Sequence, residues 1–155
     1  MNNIQIFNLA SRFRSAIMDA KNDEAFPSNC RMSNFPIGCC DDTADLFAHF
    51  LYHEHGTISI RVDASYHDGN PENNSSHSWQ EIAGTVIDLT GSQPQFRYNP
   101  SFLNYDRDIY VGPMDDFHSM FKINREFRSC GIESLGQACH ERMYRLYGII
   151  MSHYK

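Results

Sequence analysis

The chain has 155 residues, with 13 lysines and arginines against 19 aspartates and glutamates, a formal net charge of −6 with histidine neutral. That balance argues against a nucleic-acid partner, because a phosphate-backbone binder needs a basic face. No apolar run approaches the ~20 residues of a membrane span, so no membrane partner is expected.

The length is that of one domain, taken as residues 1–155, with enough chain to bury a core. Met1-Asn2-Asn3-Ile4 has no basic region leading into an apolar block, which argues against a secretory signal. Five cysteines without Cys-x-x-Cys spacing read as reduced thiols. The expected setting is cytoplasmic, or that of an effector delivered elsewhere without a classical signal.

In chain order, Ile4, Phe7, Ala10, Phe13, Ile17 and Ala20 recur three or four apart, predicting an amphipathic helix over residues 4–20. Residues 22–36 hold two prolines and scattered polar groups, an irregular connection. Pro36 and Gly38 then stop any regular element. After them Cys40, Ala44, Phe47, Ala48 and Leu51 trace one face of a helix that starts at Cys39 or Cys40 and stops at Gly56. Residues 57–63 alternate apolar and polar side chains, a half-buried strand. Residues 65–76 read as a loop. Two β-rich runs around Ala83-Gly84 predict an antiparallel hairpin over residues 77–90. Residues 91–108 are irregular and aromatic, 109–112 a short strand and 114–122 a short helix. Leu135, Ala138, Cys139, Met143, Leu146, Ile149 and Ile150 give helical spacing over 132–154.

A cysteine in the first turn of a buried helix is chemically distinct, since free amides and the helix dipole favour the thiolate, which is the nucleophilic form. Asp41 and Asp42 oppose that charge, so the site needs a cation, and histidine is the natural supplier. The hairpin brings one to a carboxylate. A four-residue turn places His77 directly opposite Asp88; a two-residue Ala83-Gly84 turn places it diagonally on the same face. Both are within side-chain reach. Cys40, His77 and Asp88 then form a nucleophile, a base and an orienting acid.

Gly38-Cys39-Cys40-Asp41-Asp42-Thr43-Ala44 resembles the nucleophile segment of the transglutaminase-like branch of papain-like cysteine enzymes, with glycine two before the cysteine and alanine four after it. His77-Ser78-Trp79-Gln80-Glu81 and Val86-Ile87-Asp88-Leu89-Thr90 are similar to that branch's His-x-Trp-x-Glu and Asp-x-Thr strands, with Ser78 where alanine is usual. The resemblance covers residues 35–93 and implies that Cys40, not Cys39, is the nucleophile. It also implies an α+β fold, papain/transglutaminase-like, with the nucleophile helix packed on an antiparallel sheet and flanking helices at both ends. The implied function is acyl transfer from an amide or ester of a protein or peptide substrate, by a peptidase, an amidase or a protein-glutamine deaminase. The alternatives are a protein-crosslinking transglutaminase and a catalytically silent binding or adaptor module.

Asn34 lies six residues before Cys40, where papain-like peptidases carry an oxyanion-stabilising glutamine, and is a candidate oxyanion donor beside the Cys40 amide. Gln93 is a second candidate. Cys39 and Trp79 are candidate neighbours of the substrate, although Trp79 reads first as core. His49 and His53, with Asp45 one turn earlier, have a spacing that could ligate zinc. They lie off the apolar face and read as solvated, so neither a metal nor a cofactor is expected. A structural metal site using Cys39, Cys40 and a histidine is disfavoured because adjacent cysteines rarely both reach one ion. Cys139-His140 reads as core plus surface, and His118 is assigned no role.

Overall fold

The structure is a computed structural model describing residues 1–155. The Asn2 side chain accepts from the Gln5 N–H at 2.8 Å, and the Gln5 side chain accepts from the Asn2 N–H at 2.9 Å. This reciprocal cap satisfies two donors that a helix start leaves free. The helix it opens, α1 (Asn3–Asn22), buries Ile6, Ala10, Phe13, Ala16, Ile17 and Ala20. The buried stripe therefore begins at Ile6. Ile4 and Phe7 overhang it, 73% and 43% exposed, contrary to the expected stripe.

The second helix, α2 (Cys40–His55), follows the turn at Gly38 (φ 66°). It ends at Gly56, whose left-handed backbone (φ 64°) lets its N–H reach the Leu51 and Tyr52 carbonyls. Every residue from Asp42 to Leu51 is buried, so the helix is enclosed on all sides over that stretch, while its last turn is exposed. Phe13 of α1 stacks its ring 5.2 Å from both Phe47 and Phe50. Met143, Leu146 and Ile150 of the C-terminal helix α5 (His140–Ser152) complete the same core.

Five antiparallel strands form the sheet: β1 (Ser59–Tyr66), β2 (Ser75–Ile82), β3 (Thr85–Asp88), β4 (Tyr110–Gly112) and β5 (Lys122–Ser129). Their order is β4-β3-β2-β1-β5. The β2–β3 hairpin turns on Ala83 (φ 49°) and Gly84 (φ 81°), a two-residue connection with both central residues left-handed. Gln80 consequently pairs with Ile87 and Ile82 with Thr85. Of the two registers the sequence allows, this is the one that sets His77 diagonal to Asp88.

The two faces of the sheet meet different cores. Ile87 and Leu89 join the helical core of α1, α2 and α5. Val62, Ala64, Trp79 and Val86 meet an aromatic layer instead, made of Phe96 on α3 (Pro94–Arg97), Phe102, Phe117 on α4 (Asp116–Ser119) and Phe121. The architecture is α+β, with helices on one face of an antiparallel sheet and aromatic connections on the other.

Two departures from the sequence reading have local causes. Strand β5 was not expected, because Lys122, Asn124, Arg125, Glu126 and Arg128 mask any apolar alternation. They suit an edge strand, where charge discourages pairing with another chain. The C-terminal helix starts only at His140, after two 3-10 turns over residues 132–139. Gly131 (φ 89°) packs so tightly on α2 that a Cβ would fall 2.3 Å from the His49 Cα. The chain there follows the contact with α2, and Gly136 defers the helix. No helix is long and apolar enough to cross a membrane.

Candidate active site

Cys40 is the first residue of α2, so its N–H has no acceptor within the helix. It lines a groove of about 460 Å³ together with Gly38, Arg61, Ser76, His77 and Gln93. The adjacent cysteine behaves differently. Cys39 is fully buried, and its thiol donates to the Arg31 and Ile37 carbonyls at 3.2 and 3.3 Å. Burial and the Asp42 carboxylate push that thiol up to about 12. Cys39 therefore belongs to the loop architecture and lies outside the groove lining, which corrects its expected place beside substrate.

The acids after the cysteine are compensated. Arg142 of α5 donates to both carboxylate oxygens of Asp42, at 2.9 and 3.2 Å, and Arg31 approaches Asp41 and Asp42 at 3.6 and 3.7 Å. The cation demanded by Asp41 and Asp42 is thus supplied partly by arginine, ahead of any histidine.

His77 and Asp88 meet as the hairpin register requires. An ionised carboxylate can only accept, so the 2.7 Å contact between His77 Nε2 and Asp88 Oδ2 is an N–H donated to aspartate. Both side chains are buried. Burial disfavours the imidazolium, but the charge and hydrogen bond of Asp88, with smaller contributions of both kinds from Cys40, raise the His77 pKa well above its ordinary value. Cys40 is thus near enough to the ring to bear on its protonation, and both residues line the groove. Nδ1 carries no hydrogen bond of strict geometry and is left available. Because β3 ends at Asp88, no third strand covers this end of β2, and here Cys40 and His77 line one groove.

Asp88 is held by more than His77. Its Oδ1 accepts from the Thr90 N–H at 2.9 Å and the Thr90 hydroxyl at 3.3 Å. Its Oδ2 also faces His118 Nε2 at 2.8 Å. Although buried, Asp88 has its pKa driven far below the usual carboxylate range by the two histidines. His118 comes from α4, where Asp115 caps the helix by accepting from the His118 N–H at 2.7 Å and also meets its Nδ1 at 2.6 Å. No pattern in the sequence assigns His118 a role. Its one local signal is the Asp-x-x-His spacing of a capped turn; its partner Asp88 is distant in the chain.

The remaining candidates separate clearly. Gln93 is buried and lines the groove: its Oε1 accepts from the Gly38 N–H at 3.3 Å and its Nε2 donates to the Thr90 carbonyl at 3.0 Å. A primary amide has two N–H groups, so one remains uncommitted. Asn34 is exposed at the end of a 3-10 turn and does not line the groove, which corrects its place as an oxyanion donor. Trp79 is buried in the aromatic layer, its ring centre 4.9 Å from that of His118 in an edge-to-face contact, so it packs the site from behind. Ser78 donates to Asp63 at 2.8 Å and accepts from Arg61 at 3.3 Å. Arg61 also binds Asp45 at 2.5 Å, a buried ion pair beneath the groove that the sequence did not announce.

Two clusters offer atoms that could ligate a metal: His77, Asp88 and His118, and His49, His53 and Glu133. In the first, the facing atoms are already joined by N–H donation. In the second, His49 Nδ1 accepts from the Ile132 N–H at 3.1 Å, which occupies the lone pair a metal would need. His49 and Asp45 are buried, not on a solvated face as the helical pattern suggested, because the 132–134 turn and β1 cover that side of α2.

No family model matches the chain, and neither the curated proteins nor the solved structures offer a match. What the site can do is therefore read from its own geometry.

Proposed function

We propose that the chain is a thiol acyl-transfer enzyme of the transglutaminase-like, papain-like kind, with Cys40 as nucleophile, His77 as base then acid, and Asp88 as the residue that orients His77. The observation that carries the reading is the buried 2.7 Å His77–Asp88 hydrogen bond, which leaves Nδ1 without a partner in a residue that lines one groove with Cys40. A buried carboxylate on one ring nitrogen fixes which nitrogen can serve the nucleophile.

The chemistry follows in balanced steps. His77 takes the Cys40 proton, and the thiolate adds to the carbonyl carbon of an amide or ester. The resulting oxyanion is met by the Cys40 N–H at the helix start and by the free N–H of Gln93. Collapse breaks the bond to the leaving group, which takes the proton from His77, and leaves a thioester on Cys40. Water, giving a proton back to His77, releases the acid and restores the thiol. The groove is open and polar, with Ser76, Gln95 and Asn124 along it, which suits a peptide or protein chain as acyl donor. A chain of 155 residues leaves little room for a second substrate site, which favours water over a second protein as acceptor.

Limited alkylation tests the reading. Iodoacetamide at about pH 6, followed by mass-spectrometric mapping of the five cysteines, should label Cys40 far faster than the rest, and His77→Gln should abolish that preference. Equal labelling of Cys40, Cys30, Cys130 and Cys139 in the folded protein would remove the proposed chemistry.

A further inference from the structure

Asp88 Oδ2 is approached by two imidazoles at nearly equal distance, His77 at 2.7 Å and His118 at 2.8 Å. The acyl-transfer reading uses only the first. The second, His118, faces a carboxylate with each nitrogen: Nε2 meets Asp88 and Nδ1 meets Asp115 at 2.6 Å. A neutral imidazole carries one N–H, so one of these short contacts would then set a lone pair against a carboxylate lone pair. Both acids are held ionised and so can only accept: despite burial, His77 and His118 lower the Asp88 pKa and His118 lowers that of Asp115. Asp88 already receives the Thr90 N–H and hydroxyl on its other oxygen, and Asp115 Oδ1 already receives the His118 main-chain N–H.

We infer that His118 is a permanently protonated imidazolium clamped between Asp88 and Asp115, and that it acts as a positioning residue which takes up part of the Asp88 charge and so sets how tightly His77 holds its proton. The role given to His77 in catalysis rests on the acyl-transfer reading; the clamp itself does not.

The surroundings fit a fixed charge. The His118 side chain has no exposure, with the Trp79 ring edge-on at 4.9 Å, Tyr110 stacked at 5.5 Å and Tyr105 edge-on at 5.8 Å. The ring itself does not touch solvent, and of its two partners only Asp115 is partly exposed. A buried cation is tolerable only when paired, and here two aspartates pair it. Asp115 and Asp88 carry two negative charges and His118 one positive, so a single negative charge remains for His77 to balance. With His118 neutral, His77 would face both. The groups bearing on this balance are Cys40 from α2, Asp88 from β3, Glu81 from β2, Arg14 from α1, and Arg107 beside Tyr105 and Tyr110. A general base must also release its proton to the leaving group, and too strong a grip makes it a poor acid. A second imidazolium on the same oxygen loosens that grip while keeping the carboxylate in place.

The test is ¹⁵N NMR of ring-labelled histidine in the full chain. In the wild type His118 should show two protonated ring nitrogens from about pH 5 to about pH 9, while His77 titrates. In His118→Gln, whose amide can still donate to Asp88, the His77 titration midpoint should rise by about one pH unit, a tenfold tighter hold on the proton. Asp115→Asn, which leaves the ring in place, should let His118 titrate. A purely structural His118 would alter the melting temperature without moving the His77 midpoint. A neutral His118 tautomer in the wild type overturns the inference even where the variants fail to fold, as does an unmoved His77 midpoint in a folded His118→Gln protein. An imidazolium His118 beside a Cys40 that labels no faster than other cysteines upholds the clamp and overturns the acyl-transfer reading. Selective Cys40 labelling with a neutral His118 does the reverse.

Discussion

Arg142, near the start of α5, grips both carboxylate oxygens of Asp42 in the first turn of α2, at 2.9 and 3.2 Å across a hundred residues of sequence. A bidentate arginine–carboxylate pair fixes geometry as well as charge. It ties the end of the chain to the turn that presents Cys40, and it cancels an anion that would oppose a thiolate there. Arg142→Gln should leave Asp42 buried with only the more distant Arg31, costing about 1–2 kcal/mol. Cys40 alkylation should slow in the folded variant, because negative charge on its sulfur would meet an uncompensated carboxylate. Denaturant midpoints and alkylation rates measured together check this. An unchanged rate would mean that Asp42 does not act on the sulfur.

The neighbouring thiols should part company. Cys39 donates to two carbonyls and is fully buried, so Cys39→Ala should cost ~1–3 kcal/mol and leave the reactive thiol in place. Cys40→Ala should abolish the fast alkylation and any turnover while melting close to the wild type. Parallel losses of stability and reactivity in both variants would identify a structural pair and count against a nucleophile.

How much of this could be read from the sequence depends on how local each contact is. The helix at Cys40 declared itself through its apolar period and its bounding glycines, and the hairpin through Ala83-Gly84, whose turn fixes the His77–Asp88 diagonal. Contacts closed by distant segments left no such pattern. His118 reaches Asp88 across 30 residues, Arg61 reaches Asp45 across 16, and Ile132 covers His49 across 83. Strand β5 was hidden for a different reason. At the sheet edge its side chains stay wet, so burial never imposed the alternation by which strands are recognised. Asn34 shows the opposite failure, a correct offset from Cys40 on a turn that faces solvent.

Stability should fall as pH rises through and above the ordinary histidine range. The folded-state pKa values of His77 and His118 are both raised: burial opposes protonation in each, and Asp88, joined at His118 by Asp115, overcomes it. A group that binds its proton more tightly when folded stabilises the protein fully below its unfolded pKa, ~6.5 for histidine, and loses that contribution as pH climbs through the folded value. Urea midpoints should therefore drop between about pH 6 and about pH 9. Asp88→Asn removes the shared acceptor charge and should flatten most of that slope. A wild-type midpoint that is level or rising over this window would contradict the paired-imidazolium arrangement.

On the proposed acyl-transfer reading, Asp88 also decides whether His77 is a working base. Its carboxylate sits at the end of β3, buried beneath the aromatic layer, and would carry a large desolvation cost without its four donors. Asp88→Asn keeps the shape and the Oδ1 acceptor for Thr90 but removes the charge that stabilises the His77 imidazolium. The rate of acyl transfer, followed with an activated ester, should fall by ~10²–10⁴, the scale on which a triad's orienting acid acts. The His77 pKa should fall as well, because the anion favouring its charged form is gone. This second readout needs no substrate: ring-nitrogen NMR titrations of the wild type and Asp88→Asn suffice. A His77 midpoint that stays put between the two proteins would take Asp88 out of the site and leave at most a Cys40–His77 dyad.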